Sequence, residues 1–287
     1  MKGIILSAGK GTRLYPATKP VCKPLIPLYD KPLIYYPLDV LLRAGITEIL
    51  IIVPPDLQQP FEQLFGDGSS LGISISYKEQ KIQRGIADAF IVGKDFIGGN
   101  DVCLVLGDNV FYGPGLDDCL IEARENNTGA TVFGYYVEDP RPFGVVEFDG
   151  DGRVLSLEEK PVKPRSNYIV PGLYFYDNRV VEIAHSIEPS ERGELEITSV
   201  NNEYLKMGQL NVVKFGREFF WADAGNAGNL LSAANTIRVL QDYTGSIIAC
   251  VEETAYRHGY IDRDKLYEAG IGMKNTEYGK YLLGLLT

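Results

Sequence analysis

Short apolar runs alternate with helix-like periodicities along the first half of the chain. Apolar runs at residues 4–6, 49–53, 73–77 and 102–106 predict buried strands. Between them, residues 33–44, 58–65 and 86–92 have the spacing of amphipathic helices, the first two followed by Gly45 and Gly66. This alternation is typical of a sheet connected by crossover helices.

The second half of the chain predicts strands that run in both directions. Residues 131–137, 145–148 and 154–159 read as strands, and Asp149-Gly150-Asp151-Gly152 suits a hairpin turn between the last two. The pattern is mostly helical from residue 226. We therefore predict an α/β fold with a Rossmann-like mixed, mainly parallel twisted sheet, flanking helices and a C-terminal helical extension. The expected core is 1–240, with 241–287 packed on it and no independent second domain.

Composition excludes several classes of protein. The formal net charge of −10 over 287 residues argues against a nucleic-acid or anionic-membrane partner, because such partners require clustered Lys and Arg. The four cysteines lack paired or metal-ligand spacing, which predicts reduced thiols in a cytoplasmic protein. No apolar stretch is long enough to span a bilayer, and two histidines leave little material for a histidine-based triad.

A glycine-rich cationic turn follows the first predicted strand. Gly9 and Gly11 would let backbone N–H groups approach phosphate oxygens, and Lys10 and Arg13 add positive charge. The alternative is an ordinary glycine turn with two solvated bases. The dinucleotide fingerprint is excluded because Leu14 stands where its third glycine belongs, and the P-loop is excluded because no Ser or Thr follows Gly9-Lys10. A proline-stiffened segment at 19–27, predicted to be non-helical, carries Lys23.

Two aspartates are the candidate acidic ligands. Asp108 follows the apolar strand at 102–106, and open α/β sheets bind ligands at the carboxyl ends of such strands. Asp223 follows Trp221-Ala222 after a strand near 212–215. Taken alone, each aspartate is more often a turn residue or a helix cap.

Nearly end to end, the chain resembles the nucleoside-diphosphate-sugar pyrophosphorylases. The motifs that carry the resemblance are Gly9-Lys10-Gly11-Thr12-Arg13-Leu14-Tyr15-Pro16, Tyr29-Asp30-Lys31-Pro32, Tyr35-Tyr36-Pro37-Leu38, Leu106-Gly107-Asp108-Asn109, Phe143-Gly144-Val145-Val146-Glu147-Phe148, Leu157-Glu158-Glu159-Lys160-Pro161, Gly172-Leu173-Tyr174-Phe175-Tyr176-Asp177, Arg192-Gly193-Glu194-Leu195-Glu196-Ile197-Thr198 and Trp221-Ala222-Asp223. The resemblance implies nucleotidyl transfer from dTTP to glucose-1-phosphate or a related hexose-1-phosphate, with release of pyrophosphate. Hard carboxylate oxygens suit the Mg²⁺ that the resemblance implies.

The resemblance also assigns roles to individual residues. Asp108 and Asp223 would hold Mg²⁺. Arg13 and Lys23 would bind the β- and γ-phosphates of the triphosphate, and Lys160 would bind the sugar phosphate. The implied nucleotide-binding residues are Ala8, Gly9, Gly11, Thr12, Arg13, Gln80, Gly85 and Asp108. The implied sugar-phosphate residues are Phe143, Gly144, Glu159, Lys160, Pro171, Gly172 and Arg192, although Arg192 and Glu194 equally suit a salt bridge at a helix start.

A regulatory nucleotide site and a homotetramer are further implications of the resemblance. The site would comprise Tyr112, Gly113, Arg217, Glu253, Tyr256 and Arg257. The alternative is a helix with solvated charges, and Pro114-Gly115 departs from the family pattern.

Several positions depart from family members that use dTTP. Pro24 and Asp88 stand where a Gln is usual, Phe143 where a Tyr is usual, and Pro171 replaces a small or branched residue. Asp88 is expected to add negative charge near the base or its binding loop. UTP as donor, or an amino- or deoxy-sugar-1-phosphate as acceptor, is therefore the alternative within the class.

Two alternative functions lie outside nucleotidyl transfer, and the sequence argues against both. A catalytically silent sugar-nucleotide-sensing subunit is one alternative, and the intact charged set argues against silence. A glycosyltransferase is the other, and it usually carries Asp-x-Asp, which Asp108-Asn109-Val110 lacks.

Overall fold

A ten-stranded mixed sheet forms the centre of the structure, a computed structural model that describes residues 1–287. The strands in chain order are β1 (Lys2–Leu6), β2 (Pro27–Leu28), β3 (Lys31–Pro32), β4 (Glu48–Val53), β5 (Ser74–Glu79), β6 (Val102–Leu106), β7 (Asn109–Tyr112), β8 (Ala130–Tyr136), β9 (Gly144–Phe148), β10 (Val154–Glu159), β11 (Tyr168–Ile169), β12 (Leu173–Tyr176), β13 (Leu210–Lys214) and β14 (Phe220–Asp223). Strands β2 with β3 and β7 with β14 form two small separate sheets.

Eleven α-helices flank the sheet or extend the chain beyond it. They are α1 (Tyr35–Arg43), α2 (Gln58–Phe65), α3 (Asp88–Val92), α4 (Lys94–Ile97), α5 (Leu116–Glu125), α6 (Val180–Ser186), α7 (Ile197–Lys206), α8 (Ala227–Thr244), α9 (Val251–Arg257), α10 (Arg263–Gly272) and α11 (Glu277–Gly284). None of them is both long enough and apolar enough to cross a membrane.

The strand order explains where a site can form. The sheet runs β10-β9-β11-β8-β12-β6-β1-β4-β5, with β13 added to β8. Strands β6, β1, β4 and β5 are parallel neighbours, whereas β12 lies antiparallel between β6 and β8. Leu6 pairs with Leu106, so the carboxyl ends of β1 and β6 meet at one edge. The predicted mixed, Rossmann-like architecture is confirmed.

Two buried layers cover the faces of the sheet. Alternate residues of the same strand face opposite sides, so that Ile5 and Ile51 join one apolar cluster and Ile4 and Leu50 join another. The first cluster also contains residues of α9, α10 and α11, and the second contains residues of α3, α6 and α7. The helical extension therefore shares the main core.

The extension is joined to the core by buried hydrogen bonds as well. Thr254 of α9 donates to Asp39 Oδ1 of α1 at 2.5 Å, and the Tyr260 hydroxyl donates to the Leu42 carbonyl at 3.0 Å. The expected boundary between residues 240 and 241 falls inside α8, which continues to Thr244. The physical end of this element is its C-cap, Gly245, which has a positive φ.

The hairpin prediction is confirmed, and one local prediction is wrong. Strands β9 and β10 pair antiparallel, with Glu159 opposite Gly144. The segment predicted to be non-helical contains a single 3₁₀ turn at Lys23–Leu25, with Pro24 near its start. Proline is tolerated in the first turn of a helix because its missing N–H would have no partner there.

Candidate active site

A cleft of about 600 Å³ lies at the edge where β1 and β6 end. All five predicted catalytic residues line it: Arg13, Lys23, Asp108, Lys160 and Asp223. Gly9, Phe143, Gly144, Glu159, Pro171 and Gly172 of the predicted binding residues line it too. The structure therefore brings together side chains that lie far apart in the chain.

The pairing of β7 with β14 brings the two aspartates together. Asp223 at the end of β14 lies opposite Asn109, the first residue of β7 and the neighbour of Asp108. The Ala224 N–H then donates to the Asp108 carbonyl at 2.9 Å. Two backbone contacts thus hold both carboxylates at the same wall of the cleft.

The two carboxylates differ in their partners. Asp108 accepts a hydrogen bond from the Lys23 ammonium group through Oδ2, and this ion pair is largely buried on the lysine side. Asp223 forms no salt bridge. Burial and the neighbouring charge of Asp108 raise the pKa of Asp223 to about 6, while Lys23 and Arg13 oppose this rise. The pair therefore carries negative charge that a cation in the cleft would relieve.

Asn109 joins the acidic wall to Trp221 and Gly172 on another wall of the cleft, a role that sequence reasoning missed. Its Nδ2 donates to Asp108 Oδ1 at 3.0 Å. Its Oδ1 accepts from the Trp221 indole N–H at 2.7 Å and from the Gly172 backbone N–H at 3.0 Å. Asn109 is 3% exposed. The orientation of the Asp108 carboxylate is therefore tied to the positions of two further cleft residues.

Glu159 and Lys160 line the cleft although they are consecutive. Successive side chains of a strand normally face opposite sides of the sheet. Lys160 follows β10 directly and has a φ of 45°, in the left-handed region that non-glycine residues rarely occupy. Its N–H donates to the Phe143 carbonyl at 3.0 Å. The turn in the backbone after β10 lets both side chains reach the same cavity.

Several contacts fix the carboxylate of Glu159. Thr198 Oγ1 donates to its Oε2 at 2.6 Å, and an Arg192 guanidinium nitrogen lies 3.5 Å from its Oε1. Arg192 also pairs with Glu196 at 2.7 Å and with Glu194 at 3.4 Å. The structure thus shows the salt bridge before α7 that the sequence left as an alternative. Arg192 does not itself line the cleft, and its predicted contact with the sugar phosphate stays a prediction.

The glycine-rich turn has the expected backbone freedom, and only some of its residues line the cleft. Gly11 has a φ of 62°, and a Cβ there would lie 3.1 Å from Lys23 Cβ. The turn is therefore packed against the segment that supplies Lys23. Ala8, Gly11 and Thr12 do not line the cleft. The exposed Gln83 donates to the Ala8 carbonyl, a contact that no sequence motif indicated.

Gln80, Gly85 and Asp88 lie outside the cleft lining, and the first and last of them are hydrogen-bonded to each other. Gln80 is buried and its amide donates to Asp88 Oδ2 at 2.8 Å, while Arg84 pairs with Asp88 Oδ1 at 2.7 Å. Arg84 offsets the negative charge of Asp88 locally, and the expected effect of Asp88 on base preference stays a prediction. Gly85 has a φ of 110°, and a Cβ there would lie 2.5 Å from the Leu195 carbonyl oxygen.

The six residues of the predicted regulatory site lie outside the cleft lining, in three separate parts of the chain. Glu253, Tyr256 and Arg257 lie on α9, where Arg257 donates to Glu253 at 2.8 Å and the Tyr281 hydroxyl donates to Glu253 at 2.6 Å. Tyr112 and Gly113 lie at the end of β7, and Arg217 lies between β13 and β14. The regulatory site stays a prediction.

Comparison with known proteins identifies the family. The sequence profile of the nucleotidyl transferase family matches residues 2–239. The chain belongs to the nucleotidyl transferase family. The glucose-1-phosphate thymidylyltransferase of Neisseria meningitidis is 52% identical over 286 residues, covering 100% of this chain and 99% of that protein. The enzyme of the same name from Mycobacterium tuberculosis is 49% identical over 286 residues.

Solved nucleotidyltransferase structures have the same fold. A Bacillus anthracis crystal structure, described as a glucose-1-phosphate thymidylyltransferase in complex with sucrose, matches with a TM-score of 0.77 and 38% identity, covering 83% of this chain and 95% of that chain. A UDP-glucose pyrophosphorylase complexed with UDP-glucose matches with a TM-score of 0.74, covering 83% of this chain and 98% of that chain. At 23% identity, the second likeness concerns the fold alone.

Proposed function

We propose that the protein transfers a thymidylyl group from dTTP to glucose-1-phosphate and forms dTDP-glucose and pyrophosphate. The observation that carries this proposal is the joint placement of Arg13, Lys23, Asp108, Lys160 and Asp223 in one cleft. The relatives that are about half identical over the full chain support the choice of donor and acceptor.

The reaction joins two anions, so the protein must hold them in line and offset their charge. An oxygen of the sugar phosphate attacks the α-phosphorus of the triphosphate, and the bond to the pyrophosphate oxygen breaks. We assign Arg13 and Lys23 to the β- and γ-phosphates and Lys160 to the sugar phosphate. Lys23 is paired with Asp108 in the structure, so a triphosphate has to exchange this ion pair for a phosphate contact.

Mg²⁺ fits the acidic wall of the cleft. Asp108 and Asp223 offer hard carboxylate oxygens, and burial followed by the nearby charge of Asp108 raises the pKa of Asp223. No third acidic, His or Cys side chain joins them as a ligand set, and Mg²⁺ commonly takes its remaining oxygens from phosphate and water. When bound, Mg²⁺ would neutralise charge on the α-phosphate. Asn109 would keep the Asp108 carboxylate oriented toward it.

The sugar end of the cleft is lined by both polar and apolar groups. Glu159, held by Thr198, offers acceptor oxygens for sugar hydroxyls, and Trp221 packs edge-on against Phe143 with ring centroids 5.4 Å apart. Such a mixed lining suits a sugar ring, which has hydroxyl edges and apolar faces. We assign this end to the hexose and the end near Gly9 and Arg13 to the nucleotide.

Pyrophosphate release provides the test of the proposal. Purified protein with Mg²⁺ is assayed against dTTP, UTP, ATP and GTP, each combined with glucose-1-phosphate, glucosamine-1-phosphate and a deoxy-sugar-1-phosphate. We expect the highest kcat/KM for dTTP with glucose-1-phosphate. A preference for UTP or for another sugar phosphate would establish the alternative within the class, and no turnover in any combination would favour the silent sensing subunit.

We also propose that the chain works as a cytoplasmic homotetramer with a regulatory nucleotide site that includes Glu253, Tyr256 and Arg257. Family resemblance supports this proposal. Light scattering of the purified protein measures the assembly, and inhibition by dTDP-sugars in wild type and in Arg257→Ala tests the site. Unchanged inhibition in the variant would exclude Arg257 from it.

A further inference from the structure

Only two buried side-chain polar atoms in the whole chain lack a hydrogen-bond partner. They are Ser7 Oγ and Asn201 Nδ2, and both residues line the cleft. Buried polar groups are nearly always paired, so an orphan in a binding cavity indicates a group that a ligand can satisfy. A serine hydroxyl can rotate to suit its surroundings, whereas a side-chain amide is a fixed pair of donors and acceptors. Asn201 is therefore the more informative of the two.

Tyr176 fixes the orientation of the Asn201 amide. Its hydroxyl donates to Asn201 Oδ1 at 2.5 Å, and both residues are almost fully buried. A buried tyrosine hydroxyl needs an acceptor for its hydrogen, and Asn201 supplies it. The carbonyl end of the amide is consequently engaged, and the NH₂ end is left as a donor.

The position of Asn201 on α7 places this donor at the sugar end of the cleft. Asn201 lies one turn beyond Thr198, on the same face of the helix, and Thr198 donates to the Glu159 carboxylate. Tyr174 and Val170 line the same cleft. A polyhydroxylated ligand that reaches Glu159 would therefore have oxygen acceptors within this part of the cavity.

We propose that the Asn201 amide is a specificity-determining donor that hydrogen-bonds one hydroxyl oxygen of the sugar-1-phosphate. The proposal rests on the proposed function, because it takes the hexose as the ligand of this end. Asn201 is uncharged, and we assign none of the phosphate contacts to it. Its loss should therefore affect the sugar substrate and leave the triphosphate unaffected.

Two variants separate the donor from its structural partner. Tyr176→Phe removes the hydroxyl but keeps the amide, and Tyr176→Phe combined with Asn201→Leu removes both groups with little change in volume and leaves no orphan. Steady-state kinetics are measured for wild type and both variants with glucose-1-phosphate and its 2-, 3-, 4- and 6-deoxy analogues at saturating dTTP. KM for dTTP is measured separately.

In wild type, we expect one deoxy analogue to lose about three- to tenfold in kcat/KM relative to glucose-1-phosphate beyond the other analogues, as expected for one neutral hydrogen bond. Tyr176→Phe releases the carbonyl end of the amide, so it should weaken this discrimination without abolishing it, because the NH₂ group is still present. The double variant should lose a similar factor with glucose-1-phosphate, show no extra loss with that analogue, and retain the KM for dTTP.

Two results would overturn the proposal. One is an equal penalty for that analogue in wild type and the double variant. The other is a double variant whose kinetics with every sugar match those of Tyr176→Phe, which would mean that the amide is satisfied by internal water. Turnover of glucose-1-phosphate by wild type tests the proposed function independently of either result.

Discussion

Neutralising Asp223 should stabilise the metal-free protein while it destroys the metal site. Its pKa is raised from 3.8 to about 6, first by burial and then by the charge of Asp108. The folded state therefore favours the protonated carboxyl. Because the unfolded chain loses this proton at lower pH, the free energy of unfolding falls as pH rises from about 4 to about 6. The Asp223→Asn variant carries no charge at this position and escapes the penalty.

The size of the effect follows from the shift. Two pKa units correspond to about 3 kcal/mol, and water in the cleft screens the partly exposed carboxylate, which leaves about 1–2 kcal/mol. For a chain of 287 residues, that amounts to a rise of about 2–3 °C in Tm. The amide retains an oxygen that can accept from the Gly225 N–H, so the substitution removes charge with little loss of shape.

Thermal unfolding of wild type and Asp223→Asn in EDTA, at pH 4 and pH 8, measures this effect. We expect a higher Tm for the variant at pH 8 and nearly equal values at pH 4. Asp151→Asn, at an exposed position in the β9–β10 turn, is the matched control and should show no such pH-dependent gain. A variant that is less stable than wild type at pH 8, or equally stabilised at both pH values, would refute the electrostatic argument.

Three further outcomes follow from the same structure. Asp108→Asn should keep the protein folded by circular dichroism but lower kcat by about a hundred- to a thousandfold, the usual cost of one preorganised charge contact, and near-normal turnover would exclude Asp108 as a ligand. Lys23→Ala should raise KM for dTTP more than KM for glucose-1-phosphate, and Lys160→Ala the reverse; equal effects on both substrates would mean that the roles are misassigned. Gly85→Ala should destabilise the fold by more than about 1 kcal/mol in urea unfolding, because of its positive φ and the nearby Leu195 carbonyl; unchanged stability would show that the backbone there relaxes easily.

Base recognition calls for a direct measurement on the wild type. The resemblance predicts that Gln80 binds the nucleotide, but the structure buries its amide against Asp88. Gln80→Ala would therefore remove a buried hydrogen bond of Asp88 as well as any base contact. The triphosphate preference of the unaltered protein, measured by pyrophosphate release, reports base selection without this disturbance.

Local sequence determined much of the framework. The strand at 102–106 is apolar at every position, so it had to be buried, and the site residue Asp108 follows its carboxyl end. The glycines of the first turn indicated close backbone packing, which Gly11 shows. These features depend on neighbouring residues alone, because periodicity and backbone freedom act over a few positions. The family motifs then located the charged residues of the cleft.

Tertiary structure decided which polar groups are partners. The Trp221 indole and Asn109 are 112 positions apart, and only the β7–β14 register brings them together. The unpaired amide of Asn201 likewise depends on how separate elements pack. Local propensity carries no information on such distant pairings, because a polar side chain in a buried site is satisfied by whatever group the folded chain places beside it. The sequence thus determined the elements and their charges, and the packing of those elements decided which charges and donors are left for a ligand.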